Sequence, residues 1–259
     1  MNARAPNYGV DAPSVIRNLI IVAVVGLGLW GVVLAGLWSG QIPLTRGPDV
    51  VVVAIAPFAA AIGIACGLMA AYMVWSSKFG KIRERETLLD HVRWSGAERV
   101  LDVGCGRGLM LVGAARRAVR GLATGIDIWQ SEDLSGNRPA APLENARLEG
   151  VADRVSIETA DMRALPFADA SFDVVVSSAA IHNLYDRAGR ATAIREIVRV
   201  LAPGGSAVLD DIRHIGEYER ELRTSGVTEI QRVRSTLMTW VLAALTWGRL
   251  QPGVLIARK

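Results

Sequence analysis

The chain has 259 residues, of which 51% are hydrophobic and 21% charged, and its formal net charge is +4. This length suits one α/β domain with an appendage, and a modest charge without a long Lys/Arg tract argues against a nucleic-acid-binding protein. The two cysteines, Cys66 and Cys105, show no CxxC or metal-type spacing. We therefore predict no metal site and two free thiols, which suit a reducing compartment.

A long stretch near the N-terminus is almost free of charge. From 19 to 75 only Arg46 and Asp49 are charged. The uncharged run 19–38 would span ~30 Å as a helix at ~1.5 Å per residue, which matches the hydrocarbon core of a bilayer. A second apolar run covers 50–75. The pattern predicts two transmembrane helices over these two runs, preceded by a loose polar tail.

Other features of this region bear on how the two helices meet. The connector 39–49 is short and rich in turn formers, which predicts an antiparallel helical hairpin. Pro57 would kink the second helix, or tilt would take up its length. Gly63 and Gly67 form a GxxxG pair, for which packing within the hairpin is favoured over a specific dimer. Two buried core helices, or a cleaved signal peptide for the first run, are the alternatives.

Most of the cations that flank the second predicted span lie on one side of it. The loop between the spans holds one, Arg46, whereas four follow the second span directly: Lys78, Lys81, Arg83 and Arg85. The positive-inside rule therefore predicts that both termini lie in the cytoplasm, with a multi-pass anchor in the cell membrane. We divide the chain into a membrane segment, 1–77, and a cytoplasmic domain, 78–259.

Strands and helices alternate in the second segment. The predicted helices cover 109–120, 142–149 and 188–201. The first five predicted strands cover 99–103, 123–127, 155–159, 172–177 and 206–210. Alternation of this kind predicts a Rossmann-like, doubly wound α/β fold with a mostly parallel sheet and helices on both faces.

A glycine-rich loop follows the first of these strands. The strand runs directly into Gly104, Gly106 and Gly108, and a helix begins at once. Glycines there allow a tight turn and let a ligand approach the backbone. Asp127 ends the next strand, where an acid can accept both hydroxyls of a ribose. This pattern predicts a nucleoside cofactor site rather than a structural glycine turn.

The charges near the loop discriminate between cofactors. A dinucleotide fingerprint needs Gly or Ala three residues after Gly106, where this chain has Leu109. Asp102 precedes the first glycine by two residues, and its carboxylate would repel a pyrophosphate but attract an amino-acid ammonium. S-adenosylmethionine has such an ammonium and a ribose, and no phosphate. The residues therefore favour S-adenosylmethionine over a dinucleotide.

Ordered motifs over about 89–209 also carry a family resemblance. They are the glycine loop 100–108, the acid in 125–127, the adenine-side loop 160–162, the fourth strand with its approach 165–176, and the helix and turn 195–205. On these motifs the sequence resembles the class I S-adenosylmethionine-dependent methyltransferases, most of all the branch with the quinone-biosynthesis C-methyltransferases. The resemblance implies a seven-stranded sheet and S-adenosyl-L-methionine as the cofactor.

The resemblance also implies a set of cofactor-binding residues: Asp102, Gly104, Cys105, Gly106, Gly108, Asp127, Ile128, Asp161, Met162 and Ser177. Within this set Asp127 would hold the ribose, and Asp161 would bind the adenine amino group with Met162 against the ring. Asp102 and Gly104 would lie at the methionine moiety, and Ser177 would contact the methionine amine through its backbone.

Two segments depart from the family pattern. The loop between Trp129 and Asn145 is long and polar, and it is either a lid over the cofactor or a solvated insertion. The segment 237–247 is uncharged, bracketed by tryptophans and too short to cross a bilayer. It lies between expected sixth and seventh strands at 227–233 and 253–257. We predict that it dips into the membrane surface near the acceptor site, with a buried core helix as the alternative.

The predicted chemistry needs few protein groups. Methyl transfer is an in-line displacement at an already activated carbon, so the protein mainly aligns the nucleophile and excludes water. The candidate catalytic bases at the carboxyl ends of the strands are His182 and Asp210. A structural role is the alternative for His182. Asp210 and Asp211 are adjacent, so they point to opposite faces and at most one faces the site.

The sequence thus predicts a membrane-anchored enzyme that methylates a small, hydrophobic or lipid-like acceptor such as a quinone, an isoprenoid or a lipid headgroup. A methyltransferase acting on a membrane protein partner is one alternative. A non-catalytic cofactor-binding scaffold is another, and an oxidoreductase is disfavoured by Asp102 and Leu109. The sequence carries no signal for an oligomeric state.

Overall fold

The computed structural model describes residues 5–46, 49–130, 134–233 and 251–259. The chain forms two compact units. One contains Gly9–Gly80 with Glu132–Ser135, and the other contains Met1–Tyr8, Lys81–Ser131 and Gly136–Lys259. The predicted membrane-surface segment 237–247 lies outside the described residues.

The first unit is built around two long helices, α1 (Pro13–Leu34) and α2 (Ala56–Trp75). Strands β1 (Gln41–Arg46) and β2 (Asp49–Ala54) form a two-stranded antiparallel sheet between them, and a π-helical turn, Ser76–Gly80, follows α2. Mean hydropathy reaches 2.1 in α1 and 1.9 in the helical stretch that begins with α2. Both helices are long and apolar enough to cross a membrane.

The structure corrects the bounds of the predicted spans. The second span was predicted over 50–75, but residues 50–54 belong to β2, because a run of β-branched valines there favours an extended strand. Pro57 does not kink α2. It lies in the first turn of that helix, where its missing N–H costs no hydrogen bond. The first helix begins at Pro13, well before the predicted start at 19, and ends at Leu34.

Glycines allow α1 and α2 to approach each other closely. A Cβ built on Gly26 would collide with the carbonyl oxygen of Ala59 and lie 3.2 Å from Cα of Gly63. A Cβ on Gly63 would lie 3.1 Å from the carbonyl oxygen of Ala23. Gly63 therefore serves packing between these two helices, as predicted from the GxxxG pair.

The second unit contains a seven-stranded sheet of order β5-β4-β3-β6-β7-β9-β8. Its strands are β3 (Arg99–Val103), β4 (Leu122–Asp127), β5 (Val155–Thr159), β6 (Phe172–Ser178), β7 (Leu201–Asp211), β8 (Glu229–Val233) and β9 (Gly253–Arg258). All neighbours pair in parallel except β9, which is antiparallel to both β7 and β8. The predicted mostly parallel, seven-stranded Rossmann-like sheet is confirmed.

Helices cover both faces of this sheet. They are α3 (Lys81–Leu89), α4 (Leu109–Arg117), α5 (Ala140–Leu148), α6 (Arg187–Val200) and α7 (Ile215–Thr224). One core cluster joins Leu89 and Leu111 to one side of the sheet, and a second joins Ile194 and Leu222 to the other. The strand order reverses between β3 and β6, and open α/β sheets bind their ligands at the carboxyl ends of the strands at such a switch point.

Candidate active site

The glycine loop lies at the carboxyl end of β3, at this switch point. Gly104, Gly106 and Gly108 all have positive φ angles, of 74°, 52° and 82°, a conformation that favours glycine. A Cβ on Gly104 would collide with the Cβ of Ala180, so the loop passes very close to the chain that follows β6. Backbone conformation therefore favours glycine at all three positions, and at Gly104 the lack of space also requires it.

Asp127 at the end of β4 turns its carboxylate toward this loop. Oδ2 accepts a hydrogen bond from the amide of Gly106 at 2.8 Å, and Oδ1 accepts one from the amide of Trp129 at 2.6 Å. The side chain is half-buried. The carboxylate predicted to hold a ribose is thus fixed in orientation beside the glycine loop.

Asp102 differs from the sequence-based expectation. Its side chain is 1% exposed, and Oδ2 accepts a hydrogen bond from the amide of Leu111 at 2.8 Å. Burial raises the pKa of this carboxyl to about 8, against a lowering by the Leu111 amide. The carboxylate therefore supports the first turns of α4 from inside and does not face an ammonium group in the cleft.

The adenine-side residues lie around the ends of β4 and β5. Both carboxylate oxygens of Asp161 accept hydrogen bonds from Arg163, at 2.6 to 3.0 Å, and this guanidinium lowers the pKa of Asp161. The sulfur-bound methyl of Met162 would lie 3.6 Å from a Cβ on Gly104. Ile128, directly after Asp127, exposes 49% of its surface although it is apolar. Met162 thus lies beside the glycine loop and Ile128 is exposed, whereas Asp161 already has a cationic partner.

Two other predicted contacts are buried. Ser177 is 2% exposed, and its hydroxyl donates to the carbonyl oxygen of Val103 at 2.8 Å, so the side chain ties β6 to β3. Cys105 is buried as well, and burial raises the pKa of its thiol. These side chains shape the cleft from within. The contact predicted for Ser177 involves its backbone and not this side chain.

The histidine predicted as a base has an acidic partner. Nδ1 of His182 lies 2.6 Å from Oδ1 of Asp211, while the His182 amide donates to Oδ2 at 3.0 Å. The two atoms are close, but their geometry does not meet the angular requirement of a hydrogen bond. The Tyr218 hydroxyl also donates to Oδ2, at 3.1 Å. Asp211 is 2% exposed. A buried, oriented carboxylate behind an imidazole is the arrangement of a general base.

Asp210, the other predicted base, lies in a different environment. Its Oδ2 accepts a hydrogen bond from the hydroxyl of Ser178 at 2.7 Å. Burial and the nearby Glu84 carboxylate raise its pKa to about 7, against the Ser178 hydrogen bond. As predicted, Asp210 and Asp211 point to opposite faces. The acid that contacts His182 is Asp211, which the sequence did not single out over its neighbour.

The sequence analysis also missed a set of contacts made by the N-terminal tail. It predicted a loose tail, but the amide of Asn7 donates to Oδ1 of Asn145 at 2.8 Å, and Arg107 of the glycine loop donates to the carbonyl oxygen of Asn7 at 2.7 Å. The Tyr8 hydroxyl donates to Glu149. Polar residues without hydrophobic periodicity carry no signal for such docking.

This geometry defines a class of protein. A glycine loop at the switch point of a doubly wound sheet, with an acid at the end of the next strand, is a Rossmann-like nucleoside-cofactor site.

Comparisons with known proteins agree with this class. A family model described as a methyltransferase domain matches residues 101–209. Methyltransferase GfsG of Streptomyces halstedii is 36% identical over 130 residues, or 50% of this chain and 43% of that protein. The 27-O-demethylrifamycin SV methyltransferase of Amycolatopsis mediterranei is 39% identical over 114 residues, or 44% and 38%. The ubiquinone/menaquinone biosynthesis C-methyltransferase UbiE of Geobacter sulfurreducens is 34% identical over 128 residues, or 49% and 46%. The chain spans less than half the length of each of these three relatives.

Solved structures support the fold. Geranyl diphosphate C-methyltransferase from Streptomyces coelicolor A3(2), in complex with Mg2+, geranyl diphosphate and S-adenosyl-L-homocysteine, has a TM-score of 0.54 at 20% identity, over 68% of this chain and 78% of that chain. The [4+2]-cyclase SpnF has a TM-score of 0.52 at 22% identity, over 69% and 81%.

Residues 101–209 thus match a methyltransferase domain, and this part of the chain is similar to class I S-adenosylmethionine-dependent methyltransferases, whose cofactor is S-adenosylmethionine. The residues of the site fit this cofactor, because Asp127 presents a carboxylate of fixed orientation beside a glycine loop at the ligand-binding edge of the sheet.

Proposed function

We propose that this protein is a membrane-anchored methyltransferase that transfers a methyl group from S-adenosylmethionine to a small, hydrophobic acceptor at the cytoplasmic face. The observation that carries the chemistry is the His182–Asp211 pair. His182 follows β6 and Asp211 ends β7, at the same sheet edge as the glycine loop. In doubly wound sheets this edge is the ligand-binding edge.

The bound cofactor supplies a methyl group activated by a sulfonium centre. The protein holds the adenosine through Asp127 and the glycine loop and has to align the acceptor. Nε2 of His182 would take the proton from an acceptor O–H, N–H or acidic C–H as the acceptor bonds to the methyl carbon, while the methyl–sulfur bond would break and S-adenosylhomocysteine would leave. Asp211 then stabilises the imidazolium, and Tyr218 keeps the Asp211 carboxylate in place.

The acceptor class is inferred from the relatives and the anchor together. One relative is named for quinone biosynthesis and another for a rifamycin, which are small molecules. A helical anchor would keep the enzyme where a hydrophobic acceptor partitions.

Exposure of the two long helices supports the anchor. A core helix of a soluble protein is mostly buried. In the most apolar stretch of each of these two helices, only 17% of the residues are buried. Phe58, Ile62 and Leu68 on α2 expose 68%, 56% and 67% of their surfaces. Apolar faces of this size are suited to lipid.

The cytoplasmic orientation rests on the cations after α2. One of them, Arg85, is 1% exposed in the folded domain and pairs with Glu149 at 3.0 Å. Lys78 and Arg83 remain as flanking charges on that side, while Arg46 stands alone between the helices. A topology reporter fused after Lys259 should respond as a cytoplasmic fusion, and an external signal would refute the orientation.

The substrate proposal is tested by incubating the full-length protein in detergent or liposomes with labelled S-adenosylmethionine. A membrane lipid extract and a membrane protein fraction serve as alternative acceptors. We expect label in the lipid extract, with mass spectrometry showing the addition of one CH₂. Label confined to the protein fraction would indicate a protein substrate, and cofactor binding without transfer would indicate a scaffold.

A further inference from the structure

Asp127 has a third hydrogen-bond partner besides Gly106 and Trp129. Asn137, from the long polar loop after β4, donates its Nδ2 to Oδ1 of Asp127 at 3.3 Å and to the carbonyl oxygen of Gln130 at 3.1 Å. The side chain of Asn137 therefore lies directly beside the acid that would hold the ribose.

These two contacts fix which way the Asn137 amide faces. Both partners are acceptors, so only the NH₂ group can point at them, and Oδ1 must point the other way. Oδ1 is buried and has no hydrogen-bond partner among the residues that the structure describes. Buried acceptors are normally paired, so this oxygen is suited to a donor that is not one of the described groups.

The chain holds Asn137 in place through its neighbour. Nη1 of Arg107 donates to the carbonyl oxygen of Gly136 at 2.8 Å, which ties this part of the loop to the glycine loop. Gly136 has a φ of 67°, and a Cβ there would lie 2.6 Å from Nη1 of Arg107. The positive φ favours a glycine at this position of the loop.

The Asp127 carboxylate has too few free acceptor positions for both hydroxyls of a ribose. A carboxylate offers about four lone-pair positions. Three on Asp127 are used, by the amides of Gly106 and Trp129 and by Nδ2 of Asn137. One position remains, whereas a ribose presents two hydroxyl donors. The expectation that Asp127 alone accepts both hydroxyls does not fit these contacts.

We infer that Asn137 completes the ribose site, with its Oδ1 accepting one ribose hydroxyl while Asp127 accepts the other. This inference rests on the proposed use of S-adenosylmethionine. It assigns a cofactor-binding role to the polar loop, for which the sequence left a lid and a solvated insertion open.

The test measures affinity rather than turnover. The full-length protein in detergent is titrated calorimetrically with S-adenosylhomocysteine and with its 2′-deoxy and 3′-deoxy ribose analogues. We expect Asn137→Ala to weaken binding of S-adenosylhomocysteine by about tenfold, the effect of one lost hydrogen bond. The variant should also lose the wild-type discrimination against one of the two deoxy analogues and keep it against the other.

Gln130→Ala is the matched control, because Gln130 is exposed in the same loop and its contact to Asn137 uses only the backbone oxygen. It should bind all three ligands like the wild type. If Asn137→Ala lowers the melting temperature of the unliganded protein, the Asn137→Ser variant is titrated in its place. The same changes in affinity are expected of it.

Unchanged affinity in the Asn137 variant, or equal weakening toward all three ligands, would overturn the inference and leave the proposed function standing. Failure of the wild type to bind S-adenosylhomocysteine would instead refute the proposed function.

Discussion

Nδ1 of His182 lies 2.6 Å from Oδ1 of Asp211, although His182 follows β6 and Asp211 ends β7. The Tyr218 hydroxyl holds the second oxygen of that carboxylate at 3.1 Å. The carboxylate is therefore fixed from two sides, which favours one orientation of the imidazole and leaves Nε2 as the ring nitrogen for an acceptor.

The first prediction concerns this pair. His182→Ala should lower kcat by about 10²- to 10⁴-fold, the usual contribution of a general base, with little change in affinity for S-adenosylhomocysteine. Asp211→Asn should lower kcat less, because the imidazole stays but loses its charged partner. Steady-state kinetics with labelled cofactor measures both. His91→Ala, at an exposed position, should leave kcat unchanged. Wild-type kcat in His182→Ala would show that the histidine is structural.

A second prediction compares two acids of the cofactor site. Asp127→Ala should weaken binding of S-adenosylhomocysteine by about 10- to 150-fold, because a charged acceptor of the ribose is lost. Asp161→Ala should weaken it less, since Arg163 already occupies both carboxylate oxygens. Calorimetric titration of the full-length protein gives both affinities, and Asp153→Ala, 70% exposed, is the control. A larger loss of affinity in Asp161→Ala than in Asp127→Ala would contradict this prediction.

The third prediction concerns Asp102 and pH. Burial raises its pKa from 3.8 to about 8. Between pH 3.8 and about pH 8 the folded state therefore holds a proton that the unfolded state releases. The free energy of unfolding should therefore fall as pH rises from 4 to 8, by up to about 1.4 kcal/mol per pH unit from this group. Asp102→Asn keeps an oxygen that can accept from the Leu111 amide and removes the titration.

Denaturation of the variant and the wild type from pH 5 to pH 8 tests this prediction. The Asp102→Asn profile should be flatter and should lie above that of the wild type at pH 8. Asp153→Asn should follow the wild type. Parallel profiles for Asp102→Asn and the wild type would show that Asp102 is charged in the folded protein.

The fourth prediction concerns the two long helices. Gly26→Val should push α1 away from Ala59 and Gly63, because no space exists for a side chain there. Gly28→Val is the matched control on the same helix, since a Cβ at Gly28 meets nothing within 4 Å. Thermal unfolding in detergent should show a clear loss of stability for Gly26→Val only, by about 1–3 kcal/mol as for overpacking. Equal effects of the two substitutions would contradict the packing described.

The sequence predicted the α/β domain well because its signals are local. The strand Arg99–Val103 was predicted with the bounds it has, since an aliphatic run followed by three glycines leaves few alternatives. Asp127 was found because the acid ends a strand at a known spacing from the glycines. These features depend on residues close together in the chain.

Other features depend on contacts that the sequence does not encode locally. The choice of Asp211 over Asp210 follows from which face of β7 meets α7, a helix that was not predicted. The apolar run from residue 50 has the composition of a membrane helix, but strand pairing with Gln41–Arg46 governs its first residues. The burial of Asp102 is likewise a tertiary effect, and it removes the electrostatic contact by which the sequence favoured S-adenosylmethionine.

The most direct measurement of the central claim is methyl transfer by the full-length protein, because a related fold alone does not fix the reaction. Purified protein in liposomes is incubated with methyl-labelled S-adenosylmethionine and a membrane lipid extract, beside the His182→Ala variant. We predict labelled lipid-soluble product with the wild type and a loss of about 10²-fold or more with the variant. Absence of labelled small-molecule product from the wild type, with the cofactor demonstrably bound, would contradict the proposed activity.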